Sequence, residues 1–277
     1  MARTGMWRPG LSAVLLAVFF ATSLLAESLT EDVSFRAGCD GTEQKYVILF
    51  PDGFSADKPH VALMVLHGHG SDRWQFVKDS RGECRAARDV ATEHGMLFVS
   101  PDYRAKTSWM GPKAEADVLQ IITELRRRLR VTTIILCGGS MGGASALIFT
   151  ALHPDLVSGV VSLNGTANLV EFAGFTDAIA ASFGGTKAEA PDEYRRRSAE
   201  FQPEHFTMPV AATTGGKDRV VPDDSVRRLF DTVKTKNSNV LLIHRPDGGH
   251  STSYEDSKTA IEFVVSRGLK CNAALNP

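Results

Sequence analysis

Gly138-Gly139-Ser140-Met141-Gly142-Gly143 places one serine at the G-x-S-x-G spacing, directly after the apolar run Thr133-Ile134-Ile135-Leu136-Cys137. A serine hydroxyl becomes a useful nucleophile when a neighbouring base takes its proton, and it must stand clear of the chain to be reached. A sharp strand-to-helix turn lifts it out, and flanking glycines remove the Cβ atoms that would collide inside such a turn. No Walker lysine follows, and the G-x-G-x-x-G spacing is absent, which argues against a phosphate cradle.

The base should be a histidine on another loop. Of the eight histidines, His250 stands in Pro246-Asp247-Gly248-Gly249-His250-Ser251, after the last predicted strand, where small neighbours let a loop carry the ring toward Ser140. His94 and His153 fall at helix ends, where a cation suits the dipole, His60 and His205 read as surface residues, and His244 lies within the final strand. An acid must fix the tautomer of the base. Asp218, in Gly215-Gly216-Lys217-Asp218-Arg219-Val220-Val221-Pro222, precedes His250 by 32 residues. Asp223 and Asp224 read as helix caps, and Asp247 is too near His250 to reach the ring from behind. Acyl chemistry also needs two donors for a developing oxyanion. The amide of Met141 is one candidate and the amide of His69, in His67-Gly68-His69-Gly70, is the second. His67-x-His69 lacks a third ligand, so neither a metal nor any other cofactor is expected.

The elements that must position these groups alternate. Strands are predicted over Tyr46 to Phe50, Val61 to Leu66, Met96 to Ser100, Thr133 to Cys137, Val157 to Leu163, Val210 to Thr214 and Val240 to His244. Continuous apolar runs such as Val61 to Leu66 suit strands buried on both faces. Helices are predicted over Cys84 to His94, Lys113 to Leu129, Met141 to His153, Ser225 to Lys236 and Tyr254 to Arg267. In the second of these, Val118, Ile121, Ile122, Leu125 and Leu129 share one face. The rhythm predicts an α/β fold with a mostly parallel central sheet flanked by helices, its site at the carboxyl ends of the strands. The stretch from Asn164 to Phe206 interrupts the rhythm after the strand Val157 to Leu163 and reads as an insertion with short helices, a candidate lid.

Composition is that of a globular chain: 43% hydrophobic, 23% charged, net charge −1 over 277 residues. A nucleic-acid partner is not expected, because no basic footprint exists; the run Arg126-Arg127-Arg128 with Arg130 reads as a solvated helix face. Arg3 and Arg8, then apolar Leu11 to Ala21, then Ala26 before Glu27, predict a signal peptide over 1–26 and a secreted or periplasmic protein. Its removal takes away two positive charges and moves the net charge from −1 to −3. The apolar stretch is short for a span, so no stable membrane association is expected after cleavage. Residues 27–277 then read as a single domain whose oligomeric state the sequence leaves open. Export permits disulfides. Cys137 reads as a core thiol, and one bridge is expected among Cys39, Cys84 and Cys271.

Together, His67-Gly68-His69-Gly70, Gly138-Gly139-Ser140-Met141-Gly142, the Asp218-Arg219-Val220-Val221-Pro222 step and Gly249-His250 resemble the α/β-hydrolase superfamily. Within it the chain resembles small single-domain esterases, dienelactone-hydrolase-like proteins and the catalytic domains of the prolyl-oligopeptidase-like group, over roughly residues 44 to 268. The resemblance implies nucleophile Ser140, acid Asp218, base His250 and oxyanion amides at His69 and Met141. With the signal peptide this makes a secreted serine hydrolase the expectation, and carboxylic esters, small or polysaccharide-borne, are the expected substrates of its acyl-enzyme route, because alcohols leave more readily than amines and no peptide-binding apparatus is visible. A peptidase of the same group is the first alternative, disfavoured by the short stretch before the first strand, which leaves no room for a substrate-screening propeller. A non-catalytic binding protein on the same fold is the second. Tyr103, Trp109 and Phe172 are candidate substrate-pocket residues, although Phe172, Phe175 and Phe183 read equally as packing of the insertion. Asn164-Gly165-Thr166 is a glycosylation sequon or a turn.

Overall fold

The computed structural model describes residue 1 and residues 29–275, with side chains to residue 269. The segment 1–26 read as a signal peptide, Met1 apart, and the side chain of Cys271 lie outside the described residues. The chain runs through β1 (Thr30–Arg36), β2 (Glu43–Leu49), β3 (His60–Leu66), α1 (Gln75–Lys78), α2 (Gly82–Glu93), β4 (Leu97–Pro101), α3 (Pro112–Leu129), β5 (Val131–Gly139) and α4 (Met141–Leu152). It continues through β6 (Gly159–Leu163), α5 (Thr176–Phe183), α6 (Pro191–Arg196), β7 (Val210–Gly215), α7 (Asp224–Lys234), β8 (Val240–Arg245) and α8 (Tyr254–Leu275).

The described strands form one sheet in the order β1-β2-β4-β3-β5-β6-β7-β8. β1 and β2 pair antiparallel, as do β2 and β4; every other pair is parallel. This is the α/β-hydrolase fold. β1 escapes the apolar-run pattern because it is an edge strand with two inward side chains, Val33 and Phe35, among polar ones. The strand order reverses at β3, whose neighbours are β4 on one side and β5 on the other. A reversal of this kind opens a crevice at the carboxyl ends of the two strands, because the following connections leave in opposite directions.

Side chains alternate across the sheet. Ala62, Met64 and Leu66 of β3 face a core shared with α3, α4 and α7, while Leu63 and Val65 face one shared with α2 and α8. α4 is buried from Met141 through Ala151, which fits a helix that is apolar on every side. α3 buries Val118, Ile121, Ile122, Leu125 and Leu129, the face its periodicity predicts. Arg126 and Arg127 point to solvent, and Arg128 pairs with Glu31 at 2.8 Å.

The stretch 164–206 carries α5 and α6, and it is pinned. Arg197, fully buried, donates to Glu115 Oε2 at 2.6 Å and to the Met110 carbonyl at 2.5 Å, and also to Glu193. Burial alone would raise the Glu115 carboxyl, but the adjacent Arg197 guanidinium, with Arg196 and His153, holds it below its ordinary value.

The expected disulfide does not form among the described residues: Cys39, Cys84 and Cys137 are free thiols. Cys39 sits exposed in the β1–β2 connection, 3.2 Å from Arg104 Nη2, while Cys84, on the inner face of α2, is sealed in the core.

Candidate active site

β5 runs into Ser140 and α4 begins at the next residue, so Ser140 occupies the elbow itself, with φ 56° and ψ −120°. A non-glycine residue at positive φ is strained. Two glycines make the elbow possible. A Cβ on Gly138 would lie 2.3 Å from the Gly142 carbonyl, and one on Gly142 would lie 2.0 Å from the carbonyl oxygen of Leu66 in β3. The Ser140 amide donates to Leu163 O at 2.8 Å, tying the elbow to the end of β6.

His250 and Asp218 arrive from the loops after β8 and β7. His250 Nε2 lies 2.9 Å from Ser140 Oγ, and His250 Nδ1 lies 2.7 Å from Asp218 Oδ2. Three segments distant in sequence thus form one hydrogen-bonded path. Asp218 is 8% exposed, and its Oδ1 accepts the amides of Val220 and Val221 at 2.8 and 2.9 Å, which sets the carboxylate plane. Close backbone approach joins the two loops: a Cβ on Gly215 would lie 2.3 Å from Gly249 O.

His69 lies in the connection after β3 and Met141 directly follows Ser140, and no hydrogen bond from either amide is present among the described residues. Met141 is also the first residue of α4, where the helix dipole adds positive potential. His67 is not a free metal ligand. It is fully buried with Nδ1 2.8 Å from Gly68 O and Nε2 3.0 Å from Asp102 O, and burial lowers its pKa.

A cleft of about 300 Å³ opens over Ser140 and His250. Phe76, Leu163, Phe175 and Val220 supply its apolar wall, and Arg81 and Glu83 its charged one. The pocket residues expected from sequence need correction. Tyr103 is buried at 1% exposure and turns inward, where its hydroxyl donates to His67 O at 2.6 Å. Trp109 is fully buried and its indole donates to His69 Nδ1 at 3.2 Å, so it stands behind the wall. Phe172 and Phe183 pack into the core, and Phe172 borders a neighbouring depression. Phe175 is the insertion phenylalanine that lines the cleft, its ring 4.3 Å from that of His69.

Asn164 was missed as a site residue. It directly follows β6 at φ 51°, 5% exposed. Its Nδ2 donates to Gly249 O at 3.0 Å and, at 3.5 Å, to Asp218 Oδ2, while its Oδ1 accepts from Thr213 and Thr252 at 3.0 and 2.5 Å. A side chain with both amide atoms committed in the interior is no glycan acceptor in the folded protein, so the sequon reading fails. Its partners are remote in sequence, and no local pattern reveals them.

The model of the prolyl oligopeptidase family matches residues 90–265, a span that includes Ser140, Asp218 and His250. An sn-1-specific diacylglycerol lipase, ABHD11 of Xenopus tropicalis, is 32% identical over 165 residues, 57% of this chain and 49% of that protein, so the match spans about half of the relative's length. Puromycin hydrolase superposes with a TM-score of 0.70 at 20% identity, over 89% of this chain and 40% of that one. FphF, a fluorophosphonate-binding serine hydrolase of Staphylococcus aureus, superposes with a TM-score of 0.65 at 17% identity, over 87% and 98%. The esterase Pf2001 of Pyrococcus furiosus gives 0.61 at 16%, over 89% and 93%. At such identities the structures share the fold, and the family match carries the kinship: this chain belongs to the prolyl oligopeptidase family of α/β-hydrolase-fold serine hydrolases.

Proposed function

We propose that the protein is a carboxylic-ester hydrolase in which Ser140 is the nucleophile, His250 the general base and acid, and Asp218 the group that orients His250. The observation that carries this reading is the path from Ser140 Oγ through both nitrogens of His250 to Asp218, with steps of 2.9 and 2.7 Å. Ser140 attacks the ester carbonyl as His250 takes its proton. The oxyanion rests on the amides of His69 and Met141, one such donor being worth about 2.7–4 kcal/mol of transition-state stabilisation. His250 then protonates the leaving alcohol, and water activated by the same ring releases the acid from the acyl-enzyme.

Esters are favoured over amides because alcohols leave more readily and because the cleft, about 300 Å³, suits a compact acyl group. A lipase by name among the relatives points the same way. The segment 1–26 supports an exported protein acting on small or polysaccharide-borne esters. A peptidase is the second reading, favoured by the family to which the chain belongs.

A panel of p-nitrophenyl acyl esters of graded chain length, run against aminoacyl and prolyl p-nitroanilides, tests the proposal. The expected result is turnover of short esters that Ser140→Ala abolishes. Cleavage of anilides with indifference to esters reverses the choice of substrate. Near-normal turnover by Ser140→Ala removes the nucleophile.

A further inference from the structure

The turn between β4 and α3 is strained at four non-glycine residues: Tyr103, Arg104, Trp109 and Met110 all have positive φ, between 31° and 70°. Such strain persists where surrounding contacts over-determine it, and it gathers at sites of function. Several of these contacts reach one neighbour, the segment after β3. Tyr103 donates its hydroxyl to His67 O at 2.6 Å, and Lys106 O accepts the Gly70 amide at 2.8 Å. Met110 O is held by buried Arg197 at 2.5 Å, which sets the turn that carries Trp109. Trp109 in turn donates its indole N–H to His69 Nδ1 at 3.2 Å.

That last contact decides the state of the His69 ring. An indole nitrogen only donates, so Nδ1 of His69 accepts and the ring proton is on Nε2. A second proton on Nδ1 would meet the indole N–H head-on. Burial acts in the same direction and lowers the pKa of His69 below the ordinary histidine value. Phe175 covers the ring on one side at 4.3 Å, and Nε2 has no acceptor among the described residues, although His69 lines the cleft with Ser140 and His250. A fixed donor without a partner at the wall of a cleft is a place for an acceptor carried by the substrate.

We propose that the imidazole of His69, locked by Trp109 as the neutral Nε2–H tautomer, is a specificity-determining donor that hydrogen-bonds a second oxygen of the substrate, beside the ester being cleaved. This is separate from the service of the His69 main-chain amide, and it rests on the reading of Ser140 as nucleophile. Preferred esters then carry an ether, hydroxyl or carbonyl oxygen near the scissile group, on the acyl or the alcohol side.

The experiment has two arms. In the first, long-range ¹H–¹⁵N spectra of the full chain, assigned with His69→Gln, read the tautomer directly and independently of turnover. The expected result is a proton on Nε2 of His69 and a titration midpoint below about 6.5, the ordinary value. Trp109→Phe should move that midpoint upward. A proton on Nδ1, or an ordinary midpoint in the unaltered protein, overturns the lock.

The second arm compares isosteric esters differing by one oxygen: p-nitrophenyl methoxyacetate against butyrate for the acyl side, and 2-methoxyethyl against butyl acetate for the alcohol side. Each ratio of kcat/KM is measured in the unaltered protein, His69→Gln and His69→Phe. One ratio should fall about three- to tenfold in His69→Phe, the yield of one hydrogen bond, and recover in part in His69→Gln, which restores a side-chain N–H. Ratios unchanged in both series overturn the proposal and leave the ring a packing partner of Trp109 and Phe175. If the Ser140 reading itself is wrong, Ser140→Ala keeps its turnover while the spectra of His69 stay as expected, so the two failures are told apart.

Discussion

Asn164 Nδ2 lies 3.0 Å from the carbonyl oxygen of Gly249, the residue before His250. Because a carbonyl only accepts, this contact sets which end of the Asn164 amide faces the His250 loop. The same nitrogen reaches Asp218 Oδ2, and the opposite oxygen takes the hydroxyls of Thr213 and Thr252. One buried amide therefore spans the loops that bring the acid and the base to Ser140.

Replacing Asn164 by Ala should leave the sheet intact and lower kcat by about a hundredfold, the order of loss that follows a displacement of about 1 Å at a reacting centre. Asn164→Asp should behave differently. It sets a carboxylate against both the Gly249 carbonyl and Asp218, and like charges in contact raise a carboxyl pKa. The acid limb of kcat/KM should therefore move to higher pH in Asn164→Asp but not in Asn164→Ala. Identical pH profiles for the two variants would remove Asn164 from the proton path.

The elbow predicts a reversal of an ordinary stability order. Glycine in regular structure is about 0.5–1 kcal/mol less favourable than alanine. At φ 56° an alanine keeps the strain that Ser140 bears, of order 1–3 kcal/mol, and a glycine sheds it. Ser140→Gly should therefore melt a few degrees above Ser140→Ala, both being inactive. Thermal unfolding of the two variants decides it, and a higher melting point for Ser140→Ala would deny the strain.

The insertion is anchored by charge as well as by packing, and the anchor should weaken in acid. Glu115 is held below its ordinary pKa by Arg197, Arg196 and His153. A carboxyl depressed in the folded state contributes stability that is present above its unfolded value, about 4.3, and lost as pH falls through the lower folded value. Urea midpoints for the unaltered protein and Glu115→Gln should therefore differ at pH 7 and converge below about pH 4. Arg197→Ala, which leaves Glu115 buried without its main partner, should cost about 3–5 kcal/mol at neutral pH. A loss under 1 kcal/mol would mean that the insertion is held by its apolar contacts alone.

What was legible in the sequence follows from where each constraint originates. The elbow at Ser140 is a local backbone problem, and its answer, Gly138 and Gly142, is written within five residues. Apolar runs such as Val61 to Leu66 declare strands covered on both faces, and the core-facing stripe of α3 declares its period. β1 did not show, because an edge strand needs few apolar side chains and has only Val33 and Phe35 facing inward. Tyr103 and Trp109 were placed on the correct loop, but which way they turn depends on His67 and His69, 36 and 40 residues away. Asn164 is a similar case, with partners 49 to 88 residues distant.

The thiols provide a chemical check on the packing around the site. Cys137 immediately precedes the elbow glycines and Cys84 lies near the start of α2, both fully buried in the same core. Burial pushes the Cys84 thiol up to about 12 and the Cys137 thiol higher still. The reactive species is the thiolate, so neither should alkylate while the fold holds. Cys39 is exposed, with the Arg104 guanidinium 3.2 Å away, and is open to reagent. Iodoacetamide at pH 8, followed by peptide mass analysis, should label Cys39 in the native protein and spare Cys84 and Cys137. Full labelling of both should appear only past the urea unfolding transition. Labelling of Cys84 at low urea would show that α2, whose first turn borders the cleft through Glu83, opens locally before the sheet unfolds.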